Sequence, residues 1–283
     1  MSASRCAVAA SIALTLALVG ATASPAQQVS ERRVRAAIDD AARGLGQALA
    51  GGSPLSGPSP ATGGLGHFAV GASGTLTFLE IEDPTREQGT IDFALPTGTV
   101  TAAIGITGGA DLPGGAGGIG AVDLIGKVGP VIAREDLEET EPLYGVGARV
   151  GILREGAALP SLSVSAYRSW VDGLAWGDPD GEDVSFAGDV AAWSIRADVS
   201  KKVLLVTPYA GVGFDRTEIS AEYRIPPSRS TGGEELAGTI DVSSLHHKAY
   251  AGLELALALL TASVEVGSYG GGTFAAVGVR LVN

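Results

Sequence analysis

Nine ionisable side chains draw attention because each stands on the polar side of a two-residue alternation: His67, Arg149, Arg196, Asp198, Asp215, Lys248, Glu254, Glu265 and Arg280. Gathered around one enclosed space, they would line a polar conduit and select solutes by charge. The same mixture of signs would equally pair across a narrow space and fill it, because an isolated charge in a confined interior is costly. Other arrangements carry less. His67 and Ser73 share a face, as a base and nucleophile would, but six residues along a strand is ~20 Å, far beyond hydrogen-bond reach. His246 and His247 are adjacent and point to opposite faces, which argues against joint metal ligation. Gly115, Gly117 and Gly120 match GxGxxG with no helix after them, so a dinucleotide site is not expected. Asp178, Asp180, Glu182 and Asp183 offer oxygen ligands for calcium without the full calcium-loop spacing, the pattern of a solvated acidic loop. No catalytic residue, cofactor site or metal site is predicted, and the chain is not expected to be an enzyme.

The elements that would position these residues begin with a leader. Arg5 precedes an apolar stretch over 7–19 that ends in small residues at 20–26, the layout of a secretory signal peptide. Cleavage after Ala23 or Ala26 fits, and the second is preferred; the apolar core is shorter than the ~20 residues of a spanning helix. The reading divides the chain into 1–26 as signal peptide, 27–63 as helix and linker, and 64–283 as one alternating unit. Cys6, the single cysteine, leaves with the leader, which excludes a disulfide scaffold, a cysteine metal site and lipid acylation. Arg5 is the leader's only charge, so its removal moves the net charge from -12 to -13, and a polyanion such as nucleic acid would be repelled. Mean hydropathy is nevertheless positive, at +0.27. Without a long apolar run after the leader, the apolar residues must be spread through many short elements. The 42 glycines suit tight turns and close-packed strands and weaken helices.

One helix is predicted, over 29–50, with Ser30 as N-cap and Val34, Ile38, Leu45 and Leu49 opposite Arg32, Arg35, Asp39 and Arg43. A Gly, Ser and Pro linker follows at 53–64. Beyond it the period is two. Ala191, Trp193, Ile195, Ala197 and Val199 oppose Ser194, Arg196, Asp198 and Ser200; Ala251, Leu253, Leu255 and Leu257 oppose Lys248, Tyr250 and Glu254. Ten strands are expected, at 64–81, 98–107, 119–132, 143–154, 160–170, 185–199, 203–217, 245–257, 260–269 and 273–282, with a range of 8 to 14. Most are ~9 to 15 residues, the length a tilted strand needs to cross a bilayer. Short turns at 155–158 and 200–202 would lie on one side, and acidic loops at 82–97, 133–142, 171–184 and 218–244 on the other. The fold class is therefore all-β, an antiparallel transmembrane barrel with an N-terminal amphipathic helix.

YGVGARVGILR at Tyr144–Arg154, PYAGVGFD at Pro208–Asp215 and the closing TFAAVGVRLVN at Thr273–Asn283 resemble the strands of bacterial outer-membrane β-barrel proteins. That resemblance implies residence in the outer membrane, contact with its lipid, and recognition of the last strand by the barrel assembly machinery, although that signal usually ends in an aromatic and this chain ends Leu281, Val282, Asn283. The helix resembles the N-terminal plugs of long-chain fatty acid transporters; if it plugs the lumen, more than ten strands are expected. Two functions stay open. One is a small pore or transporter for small solutes or hydrophobic molecules, and the other a non-conducting structural or surface-binding barrel, with a lipid-modifying enzyme a distant third.

Overall fold

Alternation of apolar and polar residues closes into a cylinder when each strand finds two neighbours, and here every strand does. The structure is a computed structural model that describes residues 31–52, 64–82, 90–110, 119–130, 142–156, 159–176, 185–225, 235–257 and 259–282. The leader, most of the linker, Gly115, Gly117 and the acidic cluster from Asp178 to Asp183 lie outside them. One helix, α1 (Glu31–Ala50), precedes ten strands: β1 (Phe68–Glu82), β2 (Thr90–Ala110), β3 (Ile119–Pro130), β4 (Pro142–Leu153), β5 (Ser161–Trp176), β6 (Ser185–Ser200), β7 (Val206–Ile225), β8 (Leu236–Leu257), β9 (Leu260–Tyr269) and β10 (Gly272–Val282). Each pairs antiparallel with its sequence neighbours, and β1 closes on β10 from Ala69↔Val282 to Phe78↔Thr273.

Closure leaves one face outside. On β7 that face is Val206, Pro208, Ala210, Val212 and Phe214, all but Pro208 and Ala210 large exposed apolar side chains. Nine residues cover ~26 Å of strand, or about 20 Å of height after tilting, close to the ~25 Å apolar band of membrane barrels. Aromatics mark its upper border: Phe78, Tyr144, Trp170, Trp193 and Phe214 all point outward, with Arg168 over the Trp193 ring at 5.7 Å. Among the described residues the outward aromatics thus gather at that border, with Phe68 at the opposite end of the barrel and Tyr167, Tyr209, Tyr250, Tyr269 and Phe274 turned inward.

Above that girdle the pattern changes phase. On β7 and β8 the outward residues become Ser220, Glu222, Asp241 and Ser243, while Ile219, Ala221, Ile240 and Val242 are buried inside. The segments expected as acidic loops at 82–97, 171–184 and 218–244 therefore contain strand: β2 starts at Thr90, β5 continues to Trp176, β7 reaches Ile225 and β8 begins at Leu236. The cause is a change of surroundings rather than of backbone. Past the girdle the outside is water and the inside is the apolar face of a helix, so each strand continues with its two faces exchanged.

The wall is uneven at this protruding end. β9 and β10 stop at Gly270 and Gly271, level with Lys248 on β8 and Phe78 on β1, whereas β8 continues up to Leu236. Among the described residues no strand pairs with β8 above His247 on that side, and α1 fills the gap from within. Arg35 donates to the Asp241 carbonyl at 3.4 Å there.

Depth-dependent tolerance along one strand follows. Val212→Arg, in the apolar band, is expected to lower stability by ~2–4 kcal/mol. Glu222→Arg, outward on the same strand above the girdle, should change it by no more than ~0.5 kcal/mol. Denaturant unfolding of the two variants from lipid vesicles measures both.

Candidate functional site

The candidate site is the lumen, and it has three storeys. The lowest lies nearest the chain ends of the barrel and holds paired charges. Arg149 bonds Asp123 at 3.0 Å, one strand away. Arg196 on β6 reaches across to both oxygens of Glu265 on β9, at 3.0 and 3.1 Å, and Tyr209 donates to the same carboxylate at 3.1 Å. Arg280 pairs with Glu254 at 3.0 Å. Tyr250 donates to Asp198 and lies with its ring 3.8 Å beneath the Arg196 guanidinium. Slightly higher, Lys248 bonds Asp215 at 2.8 Å and Ser194 at 3.0 Å, with His246 3.6 Å from the other Asp215 oxygen. Among the described residues the buried charges are five cations and five carboxylates, so this interior is neutral overall.

The middle storey holds the end of the helix. The last carbonyls of a helix have no partners within it, and in a confined lumen the wall must supply them. Lys127 donates to the carbonyls of Leu49 and Ala50, the latter at 3.1 Å, and Tyr167 donates to Ala50 at 3.3 Å. Gly51, at φ +71°, turns the chain so that its N–H returns to the Gln47 carbonyl at 2.7 Å; that left-handed geometry is why a glycine follows the helix. The Gln47 side chain then closes on the Gly51 carbonyl at 3.2 Å, and Gly52 donates to Thr75 at 3.0 Å. A lysine at a helix C-terminus also meets the negative end of the macrodipole.

In the upper storey Ala42 and Leu49, with Ile38 and Leu45, pack against Leu143, Val171, Val190, Ile219, Ile240 and Val242. The opposite face carries Arg43, paired with Asp39 at 3.0 Å and Asp40 at 3.1 Å. Val34 and Arg32 have side chains outside the described residues. α1 lies against β1, β2 and β5–β8.

The expectation that a plug needs more than ten strands is overturned: α1 sits inside ten. Small residues make the room, since Ala42, Ala48 and Ala50 are buried and a Cβ on Gly46 would stand 1.8 Å from the Thr217 hydroxyl.

Eight of the nine predicted residues are buried within the barrel and joined in the network above. His67 is not: it lies exposed ahead of β1, because the strand begins one residue later and the wall has not yet closed around it. Ser73 faces inward and shares a hydrogen bond with Thr99 at 2.9 Å, so His67 and Ser73 are not brought together. His246 is buried and His247 exposed, on opposite faces. The prediction missed Asp123 and Lys127. Their shared parity on β3, against Leu124 and Val128, is the signal that would have found them.

A closed strand cylinder with an apolar girdle leaves no backbone group unpaired in lipid. Among the described residues no helix is long and apolar enough to cross a membrane; the strands cross it, and the chain is a barrel of the outer membrane. No protein-family model matches the chain, and no curated protein matches its sequence. Solved structures similar to it include the translocator domain of autotransporter NalP from Neisseria meningitidis, with a TM-score of 0.44 and 13% identity over 77% of this chain and 88% of that one. The beta domain of the Bordetella autotransporter BrkA follows, with a TM-score of 0.38 and 16% identity over 78% and 99%. Neisserial surface protein A gives 0.32 and 10% over 80% and 98%.

Two substitutions separate the latch from the wall. Lys127→Ala removes the cation over the helix end and should weaken docking by ~1–3 kcal/mol. Gly46→Val should expel the helix through its clash with Thr217. In both, limited proteolysis is expected to cut α1 while the barrel keeps its heat-modifiable migration.

Proposed function

We propose that this chain serves the outer membrane as a closed barrel, a scaffold that presents its protruding rim and passes no solute at rest. The observation that carries the reading is the double closure of the lumen. α1 fills the upper part and is tied down by Lys127, while the Arg196–Glu265 pair, Tyr209 and Tyr250 cross the part below it. A conducting lumen would need a wetted path past both. Removing one partner of a buried pair costs about 3–5 kcal/mol, so the lower closure does not open casually. The pore reading has no comparable support, because the charges that would select a solute are engaged with one another.

The orientation proposed puts the protruding end outside the cell and the ends of β1 and β10 in the periplasm, as in barrels with short periplasmic turns. Lipid covers the apolar band. The closing strand β10, with Val277, Val279 and Leu281 outward, is the segment offered to the barrel assembly machinery.

Conductance across planar bilayers tests the reading. The refolded full chain should be silent across salts and voltages, and so should a variant lacking residues 27–52, because the lower closure persists. Deleting 27–52 together with Arg196→Ala and Glu265→Ala should open discrete channels. Steady conductance by the unaltered chain would return the pore to first place.

A further inference from the structure

Two turns at the end of the barrel away from the girdle are built of residues that suit water poorly. The β6–β7 hairpin closes Val203 on Val206 with Leu204 and Leu205 between them, and the β8–β9 hairpin closes Leu257 on Leu260 across Ala258 and Leu259. Two-residue hairpins in water favour Asn, Asp or Gly, which accept a positive φ and leave polar groups at the tip. Leu204 takes a left-handed backbone all the same, at φ +58°, with 88% of its surface exposed. Leu205 and Leu259 are exposed as well. A leucine held there is strained where a glycine would not be. The strain is accepted for the side chain, and an apolar side chain so presented calls for a solvent other than water.

The polar groups around these tips are answered by protein. Val203 and Val206 exchange both backbone hydrogen bonds, at 2.7 and 3.1 Å. The Ala256 N–H donates to the Leu205 carbonyl at 2.9 Å and ties one hairpin to the other. On the opposite flank Lys201 donates from Nζ to the carbonyls of Gly156 and Leu159, at 2.5 and 3.1 Å. The Lys202 N–H is shared by both Glu155 carboxylate oxygens at 3.0 Å. Three neighbouring turns are thus stitched into one foot. Backbone entering hydrocarbon must find its partners in the protein, whereas a turn in water takes them from solvent.

Height decides which apolar medium receives the tips. The outward wall of β7 from Val206 to Phe214 rises about 20 Å, short of the ~25 Å apolar band of membrane barrels. Leu204 and Leu205 prolong it by roughly 5 Å and close the difference. Immediately above them Val206, Leu255, Leu257 and Leu260 are exposed on the lipid-facing side. The tips therefore continue a surface that lipid already covers, and a protein partner would have to displace that lipid to reach them. Lys202, exposed at the same edge, can lay its stem along the apolar surface and set its ammonium among headgroups.

We infer that the β6–β7 and β8–β9 turns form an acyl-chain-binding foot, which places Leu204, Leu205 and Leu259 in the hydrocarbon of the phospholipid leaflet at that end of the barrel. Aliphatic tips then hold the lower border as the outward aromatics hold the upper one. Naming that leaflet the periplasmic one rests on the orientation proposed above; the immersion itself does not.

Fluorophores on single cysteines test this in the full chain refolded into phosphatidylcholine vesicles. The background is Cys6→Ser, since Cys6 is the only cysteine. An environment-sensitive label on Leu204→Cys or Leu259→Cys should emit as one on Val212→Cys does, be quenched by lipids carrying bromine on their acyl chains, and be shielded from aqueous iodide. A label on Glu222→Cys should behave in the opposite way. Iodide access at 204 and 259 matching that at 222 overturns the inference, because these vesicles hold no protein partner. A label can itself seek lipid, so an unlabelled pair gives a second readout. Leu204→Asp with Leu259→Asp should lower the folded-to-unfolded ratio by about fivefold, and the loss should deepen as the acyl chains lengthen and the bilayer thickens. The same loss at every thickness is what a merely damaged turn would give, and it too overturns the foot. Neither readout depends on which leaflet is involved, so the immersion and the proposed orientation stand or fall separately.

Discussion

A charge enclosed by a strand cylinder has to find its partner inside that cylinder, and the rest of this structure is arranged around that demand. Each of the five buried cations has an answer: Arg149 in Asp123, Arg196 in Glu265, Lys248 in Asp215, Arg280 in Glu254, and Lys127 in the helix carbonyls. Lys127 is the exception that explains the helix. Its partner is backbone rather than a carboxylate, so wall and helix complete each other. The wall gains a counter-charge, and the helix gains donors for carbonyls that otherwise have none.

Much of this was legible in the sequence, because the strand period is two and burial is set by parity. All ten strands were found, and the inward residues of β6, β8 and β10 were assigned to the right face. What failed was the assumption that apolar always means outside. At 218–225 and 236–244 the alternation continues with its phase reversed, and a reader looking for lipid-facing residues sees only an acidic loop. The reversal depends on two things a strand's own residues do not carry, the height of the bilayer and the presence of a helix within. The plug was misjudged for a related reason. Room in a lumen depends on side-chain volume at each level, and Ala192, Ala221 and Gly46 clear space that strand number alone does not reveal. His67 had the right parity and the wrong height.

The uneven wall accounts for the amphipathic pattern of α1. Its apolar face meets β5–β8, where the upper storey is apolar on both sides. Its charged face, Arg35, Asp39 and Arg43, turns to where β9 and β10 end early; Arg43 lies beside the hairpin tip, 3.7 Å from where a Cβ on Gly270 would stand. A complete wall there would have enclosed those charges and required partners for each. The short hairpin leaves them at an open flank, so a helix with one greasy side and one charged side fits a barrel that has one tall side and one low side.

Net charge takes on a different meaning once the charges are placed. The acidic excess of the chain argues against a polyanionic partner, but it would make an electrostatic filter only if it lined the lumen, where one sign of charge selects the other. The buried interior is balanced, five against five, so the excess lies elsewhere. Part of it stands outward above the girdle, in Asp172, Asp189, Glu218, Glu222 and Asp241, where water solvates it at little expense. The same carboxylates turned inward would have needed cations the lumen does not have. The acidic excess that the described residues place above the girdle is thus a property of the rim, and it acts on whatever approaches from that side rather than on anything passing through.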